Sequence, residues 1–151
     1  DLIHWFFGLP SDVYAIKGGD SNLAVNVEDT VLALFNCQIL NNNFPVSLSL
    51  SYAQGAERRE FSILMENALL EIDLERRNFQ IINHNKEMVL SENFKKLSRN
   101  DLFVSEMDNF LSSVINKKET KVPLSEGKKS LIMCLSVHKS LATGQVVRLK
   151  Y

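Results

Sequence analysis

The chain has 151 residues, 45% of them apolar and 23% charged, with a formal net charge of −1, a balance that suits one globular domain and argues against disorder. Lysine and arginine never cluster beyond a pair, which argues against a nucleic-acid partner. No apolar run approaches the ~20 residues that a helix needs to span a bilayer, so no membrane span is expected.

In chain order, Asp1-Leu-Ile-His-Trp-Phe-Phe-Gly8 reads as the last turns of a helix closed by Gly8 and followed by Pro10. Asp12–Lys17 is a short strand, and Gly18-Gly-Asp-Ser-Asn22 is a plain loop, since a glycine pair without a third glycine and a following helix is no dinucleotide-binding turn. The stretch from Asn26 to Leu74 organises the rest. Within it, Val46, Leu48, Leu50 and Tyr52 alternate with Ser47, Ser49 and Ser51, the period of a strand with one apolar and one small polar face. Thr30–Cys37 precedes this strand across the turn-prone Asn41–Pro45. Glu57–Met65 and Ala68–Leu74 follow it, so the spacing predicts a four-stranded antiparallel meander. Phe79–Ile82 adds a further β-like stretch, and Met88–Leu90 suggests an edge strand.

At Ser98 the period changes. Phe103, Met107, Phe110, Leu111 and Val114 recur at helical steps, with Ser98 or Asn100 as N-cap and Lys117-Lys118 at the end. Pro123 opens a second helix whose expected buried stripe is Leu131, Ile132, Leu135, His138 and Leu141, and Gly144 stops it. Gln145–Tyr151 is a last strand. Strands followed by helices and a returning strand imply an α+β fold, with an open, largely antiparallel β-sheet and the helices packed on one face.

The chemistry visible in these residues is sparse. His4, His84 and His138 lie far apart without metal-ligand spacing, and no nucleophile elbow or phosphate loop is present. Glu28 and Asp29 are the one acidic pair leading into the meander, where solvated carboxylates are common. Cys37 and Cys134 lack a Cys-x-x-Cys partner and read as buried free thiols of a reducing cytoplasm. The chain starts with Asp1 and shows no secretory pattern, and we expect it to be a domain cut from a longer protein.

Several segments together carry a resemblance. Asp1-Leu-x-x-Trp5-Phe-x-Gly8 and Asn26-Val-Glu-Asp-Thr30 are followed by Asp101-Leu-Phe-x-x-Glu-Met-x-x-Phe110, Val122-Pro-Leu-Ser-Glu-Gly127 and Ser140-x-x-x-Gly144-x-x-Val147-x-Leu149. In this order and over essentially the whole chain, they resemble the C-terminal domain of the glucose–fructose oxidoreductase/inositol dehydrogenase/MocA family. The resemblance implies a single substrate-binding and oligomerisation domain over residues 1–151, with the N-terminal Rossmann domain absent. The parent would be an NAD- or NADP-dependent oxidoreductase acting on a sugar, cyclitol or nucleotide-sugar. It would be a cytoplasmic homo-oligomer joined through its open sheet face, which the serine-lined strand suits.

In that family the catalytic histidine lies three residues before an aspartate that Asp1 matches, so the histidine falls outside this chain and His4 is not it. The fragment is therefore expected to have no catalytic residue, to bind no cofactor or metal, and to be inactive alone. Asp1, the Asn26, Glu28 and Asp29 segment, and Tyr52 and Gln54 at the strand exit are the candidate substrate contacts, because loops at sheet ends commonly carry ligands. A non-catalytic dimerisation or ligand-sensing module of the same fold is the alternative. An unrelated α+β binding domain is a third reading.

Overall fold

The computed structural model describes residues 1–18, 23–94, 96 and 98–151. Its elements begin with α1 (Leu2–Phe7), β1 (Asp12–Lys17), β2 (Thr30–Ile39) and β3 (Asn42–Ser51). Then come β4 (Glu60–Leu64), β5 (Ala68–Asp73), β6 (Asn78–Asn83) and β7 (Met88–Asn93). Last are α2 (Arg99–Asn116), α3 (Leu124–Thr143) and β8 (Val147–Arg148). The chain divides into two compact units, Asp1–Gln54 with Lys121–Tyr151, and Gly55–Thr120. The α+β class read from the sequence holds, and all observed strand pairs are antiparallel.

The expected four-stranded meander is not one sheet. β2 and β3 pair with each other in the first unit and β4 and β5 in the second, giving sheets of order β3-β2-β1-β8 and β4-β5-β6-β7. Alternation reports which side chains share a face but not which strands are hydrogen-bonded, so it could not place this break. The β2–β3 turn also differs from the expected Asn41–Pro45. Ile39 pairs with Asn42, and the two residues between them, Leu40 and Asn41, both have positive φ (48° and 67°), the requirement of a tight type I′ hairpin. Pro45 lies inside β3, which is tolerable because β3 is an edge strand.

In the first unit, Val13 and Ala15 of β1, Ala33, Phe35 and Cys37 of β2, Met133 of α3 and Val147 of β8 form the core. Ile3 and Phe7 bring α1 onto the same side, with Phe7 edge-on to Phe44 at 5.5 Å. The helices of this unit thus cover one sheet face. On α3 the buried side chains are Met133, Ser136 and Ser140, with Val137 and Leu141 partly covered. The predicted stripe is therefore rotated: Leu131, Leu135 and His138 are exposed. Apolar residues occur on two sides of this helix, so period alone could not choose the buried one. Cys134 is likewise exposed rather than buried, while Cys37 is in the core.

β8 has two residues rather than the seven of the expected Gln145–Tyr151 strand. Ser140 substitutes for the missing strand length. Its fully buried hydroxyl accepts from the Ala15 amide at 2.9 Å and donates to the Gln145 carbonyl at 2.7 Å. Gly144 takes the left-handed conformation at the end of α3 (φ 66°), as a helix-closing glycine does. The expected Gly18–Asn22 loop lies, beyond Gly18, outside the described residues.

In the second unit, Phe61, Ile63, Leu70, Ile72, Phe79, Ile81 and Leu90 share one sheet face by register. Turns are closed by side chains: Asp73 accepts from the Arg76 amide at 2.8 Å, and Asn83 accepts from the amides of Asn85 and Glu87. α2 starts at Ser98, not Asn100, with a reciprocal capping box. Ser98 Oγ accepts from the Asp101 amide at 3.2 Å, and the Asp101 carboxylate accepts from the Ser98 amide at 2.7 Å. Those hydrogen bonds hold the Asp101 carboxyl below its ordinary range. The expected α2 stripe of Phe103, Met107, Phe110, Leu111 and Val114 is about half exposed at each residue.

Candidate functional site

Asp1 is the N-cap of α1, and its carbonyl accepts from the Trp5 amide at 3.0 Å. The helix is six residues long and has no side-chain cap. A helix that short is not stable by itself, so its position is set by packing. Ile3 and Phe7 anchor it on the sheet. His4, whose side chain is 13% exposed, faces Glu126 in the first turn of α3 at 3.9 Å. Glu126 also accepts from Lys129 at 2.5 Å, and its carboxyl is held below the usual range by Lys129 first and His4 after it. His4 thus lies between the start of α3 and the rest of α1.

The remaining sequence candidates collect elsewhere. Thr30 pairs with Ser51, which places the start of β2 beside the end of β3. The Tyr52 amide donates to the Asp29 carbonyl at 2.8 Å, and Thr30 and Ser51 hydroxyls are 2.8 Å apart. Glu28 lies 3.3 Å from His138 Nδ1 on α3. The fold thus gathers Glu28, Asp29 and Tyr52 at one sheet end, with Asn26 and Gln54 in the adjoining loops. It does not bring Asp1 to them. Glu126, the neighbour of α1, and His138, the neighbour of Glu28, are twelve residues apart on α3, ~18 Å at the helical rise. In the sequence, His138 reads only as a core or interface residue of the helix stripe. Its pairing with Glu28 depends on a helix crossing the sheet and has no local signal.

The sheet face opposite α1 and α3 carries Tyr14 and Ile16 of β1, Leu32 and Leu34 of β2, and the β3 serines 47 and 49. The four large apolar side chains are 39–49% exposed, a contiguous apolar strip on a sheet surface that no helix of this unit covers. An open hollow of about 340 Å³ lies at one end of it, lined by Asp12, Tyr14, Leu34, Asn36, Asn43 and Pro45 among others. There the Asp12 carboxylate accepts from Ser11 at 2.6 Å and from Asn36 at 3.2 Å, and Arg148 is its strand partner. This polar cluster was not legible in the sequence, because its members come from three strands.

Among the described residues, no three of His, Cys, Asp and Glu are grouped to hold a metal ion, and no helix is long and apolar enough to cross a membrane. The two strongest shifts in acidity come from burial: the Cys37 thiol is pushed up to about 11 and the Tyr151 phenol to about 12. Tyr151 donates to the Pro10 carbonyl at 3.1 Å, and Cys37 lies in the core.

The chain is α+β, with two open antiparallel sheets and helices. No family model matches the sequence, and no curated protein matches it either. Solved structures do match it in fold. One is levoglucosan dehydrogenase in complex with NADH and levoglucosan, at 13% identity and TM-score 0.80, covering 100% of this chain and 48% of that one. Another is an oxidoreductase from Agrobacterium radiobacter in complex with NAD+, L-tartaric acid and magnesium, at 15% identity and TM-score 0.74, covering 98% and 46%. A third is a UDP-N-acetylglucosamine 3-dehydrogenase from Acidithiobacillus ferrooxidans, at 19% identity and TM-score 0.72, covering 93% and 43%. The chain therefore spans less than half the length of the solved structures it matches.

Proposed function

We propose that this chain is the C-terminal, substrate-binding and assembly half of an NAD(P)-dependent oxidoreductase of the glucose–fructose oxidoreductase/inositol dehydrogenase/MocA type. Its substrate is a sugar, cyclitol or nucleotide-sugar. The observation that carries this reading is a fold match over nearly the whole chain to less than half of each of these solved structures, joined to the Asp1–Gly8 segment that the sequence resemblance begins with. The dinucleotide-binding domain then lies outside these residues, and so does the histidine expected three positions before Asp1. Hydride transfer needs both a bound cofactor and a proton donor or acceptor within hydrogen-bonding reach, so this chain alone is inactive.

Asp1, at the end of α1, is next to the reacting centre in this scheme, where its carboxylate orients the histidine or accepts from a substrate hydroxyl. Asn26, Glu28, Asp29, Tyr52 and Gln54 form a second contact region, ~18 Å from the first along α3, and reach parts of the ligand remote from the reacting carbon. Subunits join as homo-oligomers through the Tyr14–Ile16–Leu32–Leu34 face, a reading supported by the 39–49% exposure of its large apolar side chains. Free thiols at Cys37 and Cys134 agree with a cytoplasmic protein.

Calorimetry with NAD+ and NADP+ on the longer protein and on the 151-residue chain tests the assignment. Cofactor binding and sugar-dependent reduction by the longer protein, with neither in the chain alone, is the expected result. Cofactor binding by neither would refute it and leave the non-catalytic module.

A further inference from the structure

Resting on that reading, we propose that the His4–Glu126 contact is a latch that positions the N-terminal end of α1, making His4 and Glu126 positioning residues for the reaction. Besides the packing of Ile3 on the sheet, that end meets α3 through His4. α1 has six residues and no side-chain cap. Its aromatic anchor, Phe7 against Phe44, is at its C-terminal end. His4 is one turn from Asp1 and approaches Glu126 of α3 to 3.9 Å. Glu126 sits in the first turn of α3, where a carboxylate is favoured, and Lys129 at 2.5 Å holds it in place. A twenty-residue helix packed on β1 and β8 is a rigid base, so the contact transmits the position of α3 to Asp1 and to whatever chain precedes it. A reacting group misplaced by about 1 Å loses up to roughly a hundredfold in rate, which is why such a tether matters.

The alternative is that Glu126 only stabilises the start of α3. A cycle of His4→Gln, Glu126→Gln and the double variant separates the two. The chain has one tryptophan, Trp5, on α1 beside His4, so its fluorescence anisotropy decay reports the motion of this helix. In the 151-residue chain, each single variant is expected to speed the fast anisotropy component, and the double variant to speed it no further. In the longer protein, kcat is expected to fall about tenfold in each variant with KM for the sugar within about twofold. Unchanged anisotropy, or effects that add in the double variant, would overturn the latch, and an unchanged kcat would overturn its positioning role. A wild-type longer protein without dehydrogenase turnover would refute the functional reading instead, and the anisotropy cycle would still decide the latch.

Discussion

Ser140→Ala tests whether one hydroxyl completes a sheet edge. Ser140 is fully buried and Ala15 is 2% exposed, so water cannot replace the oxygen that the Ala15 amide now reaches at 2.9 Å. A buried donor left without an acceptor costs about 1–3 kcal/mol. The Gln145 carbonyl loses its 2.7 Å donor too, but it lies in a turn where solvent can substitute. The net loss is about 2 kcal/mol, and for a chain of this size that lowers Tm by roughly 4–8 °C. Thermal unfolding followed by circular dichroism measures the shift, and amide exchange by NMR localises it to Ala15. Thr143→Ala is the control. Its hydroxyl bonds the Lys139 carbonyl on the exposed side of the same helix, so its loss is expected to stay within about 0.5 kcal/mol. Equal Tm values for the two variants, with Ala15 exchange unchanged, would refute the argument.

Iodoacetamide at neutral to mildly alkaline pH is expected to label Cys134 and spare Cys37 until the chain unfolds, because only the first is exposed and burial keeps the second protonated; intact-mass analysis counts the adducts. Cys37 is raised from 9.0 to about 11 and Tyr151 from 10.0 to about 12, so the folded chain keeps protons that the unfolded chain releases. Stability is therefore full below about pH 9 and falls as pH rises from about 9 to 12, and Cys37→Ala flattens the portion up to about pH 11; urea midpoints across that range read it. Ser98→Ala opens the capping box and is expected to cost about 1 kcal/mol, seen as faster amide exchange confined to the first turn of α2. Leu34→Lys puts a charge at the centre of the exposed apolar face, and the expected outcome by light scattering is dissociation of the oligomer with the fold retained.

Local pattern was enough for much of this chain. The strand Asp12–Lys17, the helix between the Ser98 region and Asn116, and the helix from Pro123 to Gly144 were all legible from side-chain period and from caps. Each depends on residues a few positions apart, whose preferences operate before any long-range contact forms. The serine alternation likewise identified which side of β3 is polar. What the sequence left open depends on residues brought together from a distance. Which strands pair, and so the division into two sheets, follows from hydrogen bonds that alternation does not encode. Two apolar sides on α3 made Leu131, Leu135 and His138 as plausible as Met133, Ser136 and Ser140, and only docking on β1 and β8 chose between them. The same docking decided that Ser140 would supply β1 with an acceptor, that Glu28 would meet His138, and that Asp1 would stand at the other end of α3 from the remaining candidate contacts.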